Sequence, residues 1–527
     1  MDDTLATLRR WGAAALLVLQ IAASHAVTLR VANQGDVQSM DPHSFNESLQ
    51  LSFVNNIYEP LVARDRNLRL EPGLAVRWTQ PAPTVWRFEL RRGVRFHDGT
   101  PFTADDVVFS FERAAGEGSD MKSYTATFKT VRRIDDHTVE IETAAPFPIL
   151  PEVIASVYMM SRSWCVANKA QTPVDRRERV ENAASFNANG TGPFRLKERR
   201  PAARTVLVRN PDYWGRVEGN VDELVFTPIG NDATRVAALL SGEIDLMEPV
   251  PLQDIERVRA STGFKLLQGP ELRVIFLGMD QQRDELLNAD VRGRNPFKDR
   301  RVRQAVYQAI DIASIRSRVM RGAANPVALM VSPGVNGFIA ELNQRLPYDV
   351  DAARTLLSQA GYPKGFGVGL DCPNDRYVND AAVCQAVAAQ LARVGIKVDL
   401  RTESKATYFP KILRRDTSFY LLGWTPSTYD AHDVLSALIA SPEDKGRGQY
   451  NLGGYRNPRV DELTTKLQSE VDVAKRNAMI REAFRLHQDD VGHIPLHQQT
   501  LAWGMKKNID VVQQADNFMP YKWIVVR

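Results

Sequence analysis

Apolar and polar positions along this chain change period several times, and each change predicts an element. Residues 27–32 alternate and read as a strand, while 48–58 place Leu51, Val54 and Tyr58 on one helical face. From 61 to 150 the period is two. Trp86-Arg-Phe-Glu-Leu90 and Thr138-Val-Glu-Ile-Glu-Thr143 alternate cleanly and predict short strands joined by turns. Mixed strands continue through 190–250, with a helix ending near Ser241-Gly242. The run 274–279 is apolar throughout and reads as a buried strand.

Beyond it the helical period takes over. Asp299 can cap a helix carrying Val302, Ala305, Val306 and Ala309. A second helix spans 353–360. A third, from Asp380, carries Val383, Val387, Leu391 and Val394; Gly395 stops it, and 396–400 alternate as a strand. Helix, glycine and strand in that order predict α/β layers. The tail 501–527 reads as strand-like and aromatic. There is no internal repeat and no low-complexity linker, so ordered crossings should join the parts of the molecule.

The N-terminus follows another logic. Arg9-Arg10 precede an apolar run, 11–23, which is too short to span a bilayer and suits the core of a signal peptide. Ser24-His25-Ala26 then offers small residues at −3 and −1 of a cleavage site, so 1–26 reads as a removed leader. Asp2 and Asp3 are unusual in a segment that should be positive. No cysteine lies near the cleavage site, which argues against a lipid anchor, and no later stretch reaches the length of a membrane span. We expect an exported, periplasmic protein. Lys+Arg 67 against Asp+Glu 63 leaves a nearly balanced charge, which weighs against a nucleic-acid surface.

In an oxidising compartment Cys372 and Cys384 are candidate disulfide partners; two buried thiols are the alternative. Cys165 is left over and expected to be buried.

The segment Phe96-His-Asp-Gly-Thr-Pro-Phe-Thr-Ala-Asp-Asp-Val-Val-Phe-Ser-Phe111 is by itself a turn at Asp98-Gly99 and a helix capped by Thr103. As a string it closely resembles a segment of the family 5 extracellular solute-binding proteins, the capture subunits of bacterial ABC importers for peptides, nickel and opines. Further landmarks similar to that family follow in its order. They include Met40-Asp41-Pro42-His43, Tyr58-Glu59-Pro60-Leu61, Gly190-Thr-Gly-Pro-Phe194, Asn210-Pro-Asp-Tyr-Trp214 and Ser241-Gly-Glu-Ile-Asp245. Phe297-Lys-Asp-Arg-Arg-Val-Arg-Gln-Ala305, Ala360-Gly-Tyr-Pro363 and Ile494-Pro-Leu496 complete the series.

The resemblance implies an α/β, two-lobed periplasmic binding protein of the large type with an extra subdomain. It implies lobe I over 27–272, including a subdomain at about 61–185, a hinge strand at 273–279, and lobe II over 280–495. Residues 496–527 would return through the hinge and complete lobe I. It also implies a monomer that captures di- to oligopeptides, needs no cofactor, and delivers its ligand to permease subunits with their ATPases. A nickel complex, an opine, glutathione or a short glycan are alternatives within the family. A secreted hydrolase is the rival from another class.

Candidate site residues follow from the same resemblance. Asp430, in Gly423-Trp-Thr-Pro-Ser-Thr-Tyr-Asp430, aligns with a carboxylate that holds a ligand's α-ammonium; as a plain sequence it is also a natural helix N-cap. Trp424, Thr428 and Tyr429 are candidates for the pocket wall, and Phe45 and Asn46 face the cleft from the loop after the first strand. Thr191 and Gly192 offer hydrogen bonds to a ligand main chain, or simply form the turn before Pro193. We find no phosphate loop, no H-E-x-x-H and no G-x-S-x-G, and therefore no catalytic set. His493 and His497 have metal-like spacing, but Pro495 forbids the helix that would align them; no metal is expected.

Overall fold

The computed structural model describes residues 26–527 except Arg179 and Lys445. The leader expected over 1–26 therefore lies almost wholly outside the described residues. Among those described, no helix is long and apolar enough to cross a membrane.

An 11-stranded mixed sheet organises the chain. In one half, Lys397–Glu403, Gly367–Pro373 and Phe419–Trp424 run parallel to one another. In the other, Leu246–Glu248, Thr28–Asn33 and Glu223–Pro228 are parallel, and Arg204–Arg209 and Phe194–Arg200 extend the edge antiparallel. Two long antiparallel strands, Phe264–Met279 and Ile494–Lys506, carry the chain between the halves. Helices such as Arg300–Gln308 and Asp380–Ala392 cover the faces, which gives the α/β, two-lobed architecture.

The two crossing strands explain the sequence pattern at 274–279. From Phe264 to Pro270 the first strand is partly exposed; from Glu271 onward it is buried throughout, so it needs apolar residues on both faces. Its register against Ile494–Lys506 breaks between Pro270 and Val274. At that break lie Glu271 and Arg273, a buried ion pair with N···O 2.7 Å, and Arg273 also donates to Ser48 Oγ at 2.9 Å.

A separate four-stranded antiparallel sheet, Ala75–Ala82, Val85–Leu90, Thr138–Thr143 and Phe128–Asp135, packs with helix Ala104–Ala115 around its own apolar cluster, which runs from Leu61 to Met159. Thr103 caps that helix as its sequence predicts, its amide donating to the Asp106 carboxylate at 2.9 Å.

Several expectations shift in detail. The first helix is only Ser48–Val54, because Glu47 caps it and the chain turns away before Tyr58. Helix 353–360 is Val350–Gln359. The tail is not a long strand: after Ile494–Lys506 it pairs only through Ile509–Asp510 and Val525–Val526, and the stretch between them folds over the cleft. Cys372 and Cys384 are disulfide-bonded across strand and helix, with Cα atoms 6.7 Å apart, and Cys165 is buried.

Candidate ligand-binding cleft

Several of the landmark segments hold one another together. Glu59 is buried and accepts hydrogen bonds from Thr191 Oγ1 (2.9 Å), Tyr213 Oη (2.8 Å) and Trp214 Nε1 (2.7 Å), tying three landmark segments into one knot. Burial raises the Glu59 pKa above the usual carboxylate value, against the pull of these donors. Asp41 and Arg113 form a bidentate pair at 2.8 and 2.6 Å with both side chains fully buried. Asp245 is held by Arg30 and Lys506. Gly190 and Gly192 are required by close approach: a Cβ at either would lie 2.0 or 2.6 Å from the Ile57 carbonyl oxygen. Thr191 and Gly192 are thus consumed by the framework, since the Gly192 carbonyl already accepts from His97 Nε2 and Asn210 Nδ2. Neither lines the cleft.

Between the two halves of the sheet lies a chamber of about 1090 Å³ of empty space, partly open to solvent. Its first wall comes from Asn46, Glu59, Arg64 and Tyr158 and from the tail residues Gln514 and Asp516; Thr425, Ser427 and Tyr429 face them. A second chamber of about 530 Å³ shares Asn46, Ser48 and Thr425 with the first. Aromatic side chains dominate it. Phe45 meets Phe409 edge-on at 5.2 Å, and Trp424 lies 4.7 Å from Tyr450. Opposite them stand Asp120, Arg273 and Arg376.

The walls touch at many points. Tyr429 Oη donates to Asp516 Oδ2 at 2.5 Å, and the Arg64 guanidinium lies 4.4 Å over the Tyr429 ring. Gln449 Nε2 donates to Asp120 Oδ1 at 3.0 Å. Arg376 and Lys405 approach Glu47 at 2.6 and 3.5 Å. The cleft is closed.

Asp430 does not reach either chamber. Its carboxylate accepts Arg476 at 2.9 and 2.6 Å and Asn336 Nδ2 at 2.6 Å, and it caps the following helix through the His432 amide at 2.8 Å. Burial opposes its ionisation, but the Arg476 guanidinium outweighs that and holds its pKa below the ordinary value. The sequence offered a cap or an ammonium site; the geometry shows the cap, with a cation already in place. Thr428 lies apart as well, in a small cavity with Phe147 and His432. Phe45, Asn46, Trp424 and Tyr429 do come together around the two chambers.

Asp516, Arg64 and Asp120 also line the chambers, and the sequence did not single them out. Their neighbourhoods in sequence are ordinary loop and strand, and no motif marks them. Asp516 accepts only Tyr429 Oη and the Phe518 amide at 3.0 Å, and burial raises its pKa. Burial likewise lowers the Arg64 pKa. His493 donates to or accepts from His487 at 2.9 Å, and among the described residues no cluster of three or more His, Cys, Asp or Glu is placed to hold a metal ion.

A two-walled cleft closed on a small-molecule chamber, built on crossing strands, can be set beside known proteins. The family model for bacterial extracellular solute-binding proteins, family 5 Middle, matches residues 69–446, well over half of the chain. The chain belongs to this family. It is similar to the glutathione-binding protein GsiB of Salmonella choleraesuis, 25% identical over 513 residues that cover 95% of each protein. Among solved structures it resembles the DppA periplasmic binding protein of Helicobacter pylori in complex with the peptide STSA, with TM-score 0.85, 22% identity and coverage of 95% and 98%. It also resembles AgaA from A. tumefaciens R10 in complex with agropinic acid, with TM-score 0.83, 21% identity and coverage of 94% and 96%. These likenesses extend over nearly the whole chain, so this member of family 5 has the complete two-lobed fold.

Proposed function

We propose that this family 5 member is the periplasmic capture component of an ABC importer and that its ligands are short peptides. The observation that carries the reading is the chamber itself. It is walled from both halves of the molecule and lined by groups of both charges and many neutral donors and acceptors. The similar DppA is in complex with the peptide STSA, while the similar GsiB proteins bind glutathione, one of the alternatives to the peptide reading.

Lobe I is 27–272 with the tail, lobe II is 280–495, and the hinge strand is 273–279, next to the break in register between Pro270 and Val274. Ligand binds one wall in the open form and gains contacts with the second on closure, so its differential affinity shifts the population to the closed form. The permease subunits recognise that closed form, and no covalent chemistry is needed. The protein acts as a monomer, exported by a leader that is cleaved after Ala26.

The alternative reading rests on the GsiB proteins, which bind glutathione, and on AgaA, which is in complex with agropinic acid. Native mass spectrometry of protein taken from the periplasm without refolding separates the two. A ladder of short peptides released on denaturation supports peptide capture; a single opine-like species overturns it. Solution scattering tests closure: saturating ligand should reduce the radius of gyration, and equal radii would refute the capture mechanism.

A further inference from the structure

Four carboxylates line the two chambers, and they are not equivalent. Glu47 has Arg376 and Lys405, and Glu59 is filled by three donors. Asp120 accepts the Asn46 amide at 2.8 Å and Gln449 at 3.0 Å, and it stands in the chamber that also holds Arg273 and Arg376, whose charge works against another cation. Asp516 is different. It is buried in the chamber wall, carries one hydrogen bond on each oxygen, and has no ion-pair partner among the described residues. Arg64 does not fill that role: it donates to the carbonyls of Leu68 at 3.0 Å, Glu152 at 3.3 Å and Ser427 at 3.4 Å. An ionised carboxylate accepts about four hydrogen bonds, so Asp516 keeps capacity on both oxygens. A buried carboxylate without a cation is costly unless something supplies one.

Resting on the peptide reading above, we propose that Asp516, in the C-terminal tail, is the group that binds the ligand's primary ammonium. Tyr429 Oη occupies one of its lone pairs from the opposite wall and lies alongside the incoming ammonium. The ligand cation thereby joins Asp516 of one wall to Tyr429 of the other, so recognition of charge and closure of the cleft are the same event. Asp430, which already holds Arg476, takes no part in binding the ligand.

The test uses the full exported chain and two random tetrapeptide libraries, one with free and one with acetylated N-termini, competed on the protein and read by native mass spectrometry. Wild type should favour the free amines by about 10- to 100-fold, the equivalent of one charge-assisted hydrogen bond. Asp516→Asn keeps an acceptor for the Phe518 amide and turns an amide donor towards Tyr429 Oη, and it should erase the preference, while Asp516→Glu, which keeps the charge, should retain it. Tyr429→Phe should keep the preference too. Uptake of both libraries without preference by wild type overturns the ammonium assignment and leaves peptide capture standing. A preference that survives Asp516→Asn but disappears in Asp120→Asn also overturns it. Uptake of neither library sinks the peptide reading itself, and the ammonium assignment with it. Should Asp516→Asn fail to fold, the wild-type comparison and Asp516→Glu still decide.

Discussion

Asp430 and Asp516 are both buried acids, and the fold treats them in opposite ways. Around Asp430 the charge is closed off: Arg476 and Asn336 take the carboxylate, and a helix amide completes it. Around Asp516 the charge is left with one tyrosine hydroxyl and one amide. The same contrast separates Glu47, paired with Arg376 and Lys405, from Glu248, which accepts Asn517 Nδ2 at 2.6 Å and has no cation. A paired carboxylate holds the framework together; an unpaired one weakens it and keeps room for something else. The difference separates the acids that the fold has satisfied from those it has left without a cation.

The largest effect should come from breaking a closed pair. Arg476→Met leaves Asp430 buried with no cation and should cost about 3–5 kcal/mol in denaturant unfolding. A loss below about 1 kcal/mol would mean that Asp430 finds water on its own. Glu47→Gln strips the partner from Arg376 and Lys405 and should cost about 2–4 kcal/mol at pH 7. These cations and two helix amides hold the Glu47 pKa down to about 2 despite its burial. Its folded value is depressed, so its contribution is fully present above the ordinary value near 4.5 and is lost as the pH falls toward 2. Unfolding curves of wild type and Glu47→Gln should therefore converge across that window.

The unpaired acids should behave in the reverse sense. Burial pushes Glu248 up to about 7, so the folded state keeps its proton while the unfolded chain loses it from 4.5 upward. Stability is lost as the pH rises through 4.5 to 7 and stays low above. Glu248→Gln should consequently gain about 1–3 kcal/mol relative to wild type between pH 4.5 and pH 8. Melting temperatures at those two values check it, and a constant offset would show that Glu248 titrates normally. Smallest is Tyr429→Phe. It removes one contact across the cleft, about 0.5–1.5 kcal/mol, and should enlarge the ligand-free scattering radius while leaving the melting temperature nearly unchanged.

Much of the fold was legible because the relevant signals are local. Thr103 and Asp106 cap their helix as the string predicts, and the apolar run at 274–279 is a buried strand because both of its faces are covered. The glycines of Gly190-Thr-Gly192 could be read as a turn, but not as the place where the Ile57 carbonyl passes within van der Waals contact. The site was legible only in part. Phe45, Asn46, Trp424 and Tyr429 flank motifs the resemblance had already marked. At Asp430 a cap and a ligand carboxylate look alike in one dimension, and its partner Arg476 is 46 residues away.

The sequence by itself determined the α/β alternation, the disulfide candidates and the family landmarks. Each of these rests on residue types and spacings within one segment. The tertiary structure alone decided which buried charges are satisfied. Pairing Asp41 with Arg113, Glu47 with Arg376, and Asp516 with Tyr429 joins residues 72, 329 and 87 positions apart. Whether a carboxylate costs or stabilises, and whether it is free to take a ligand, depends on what the fold brings within about 3 Å of it.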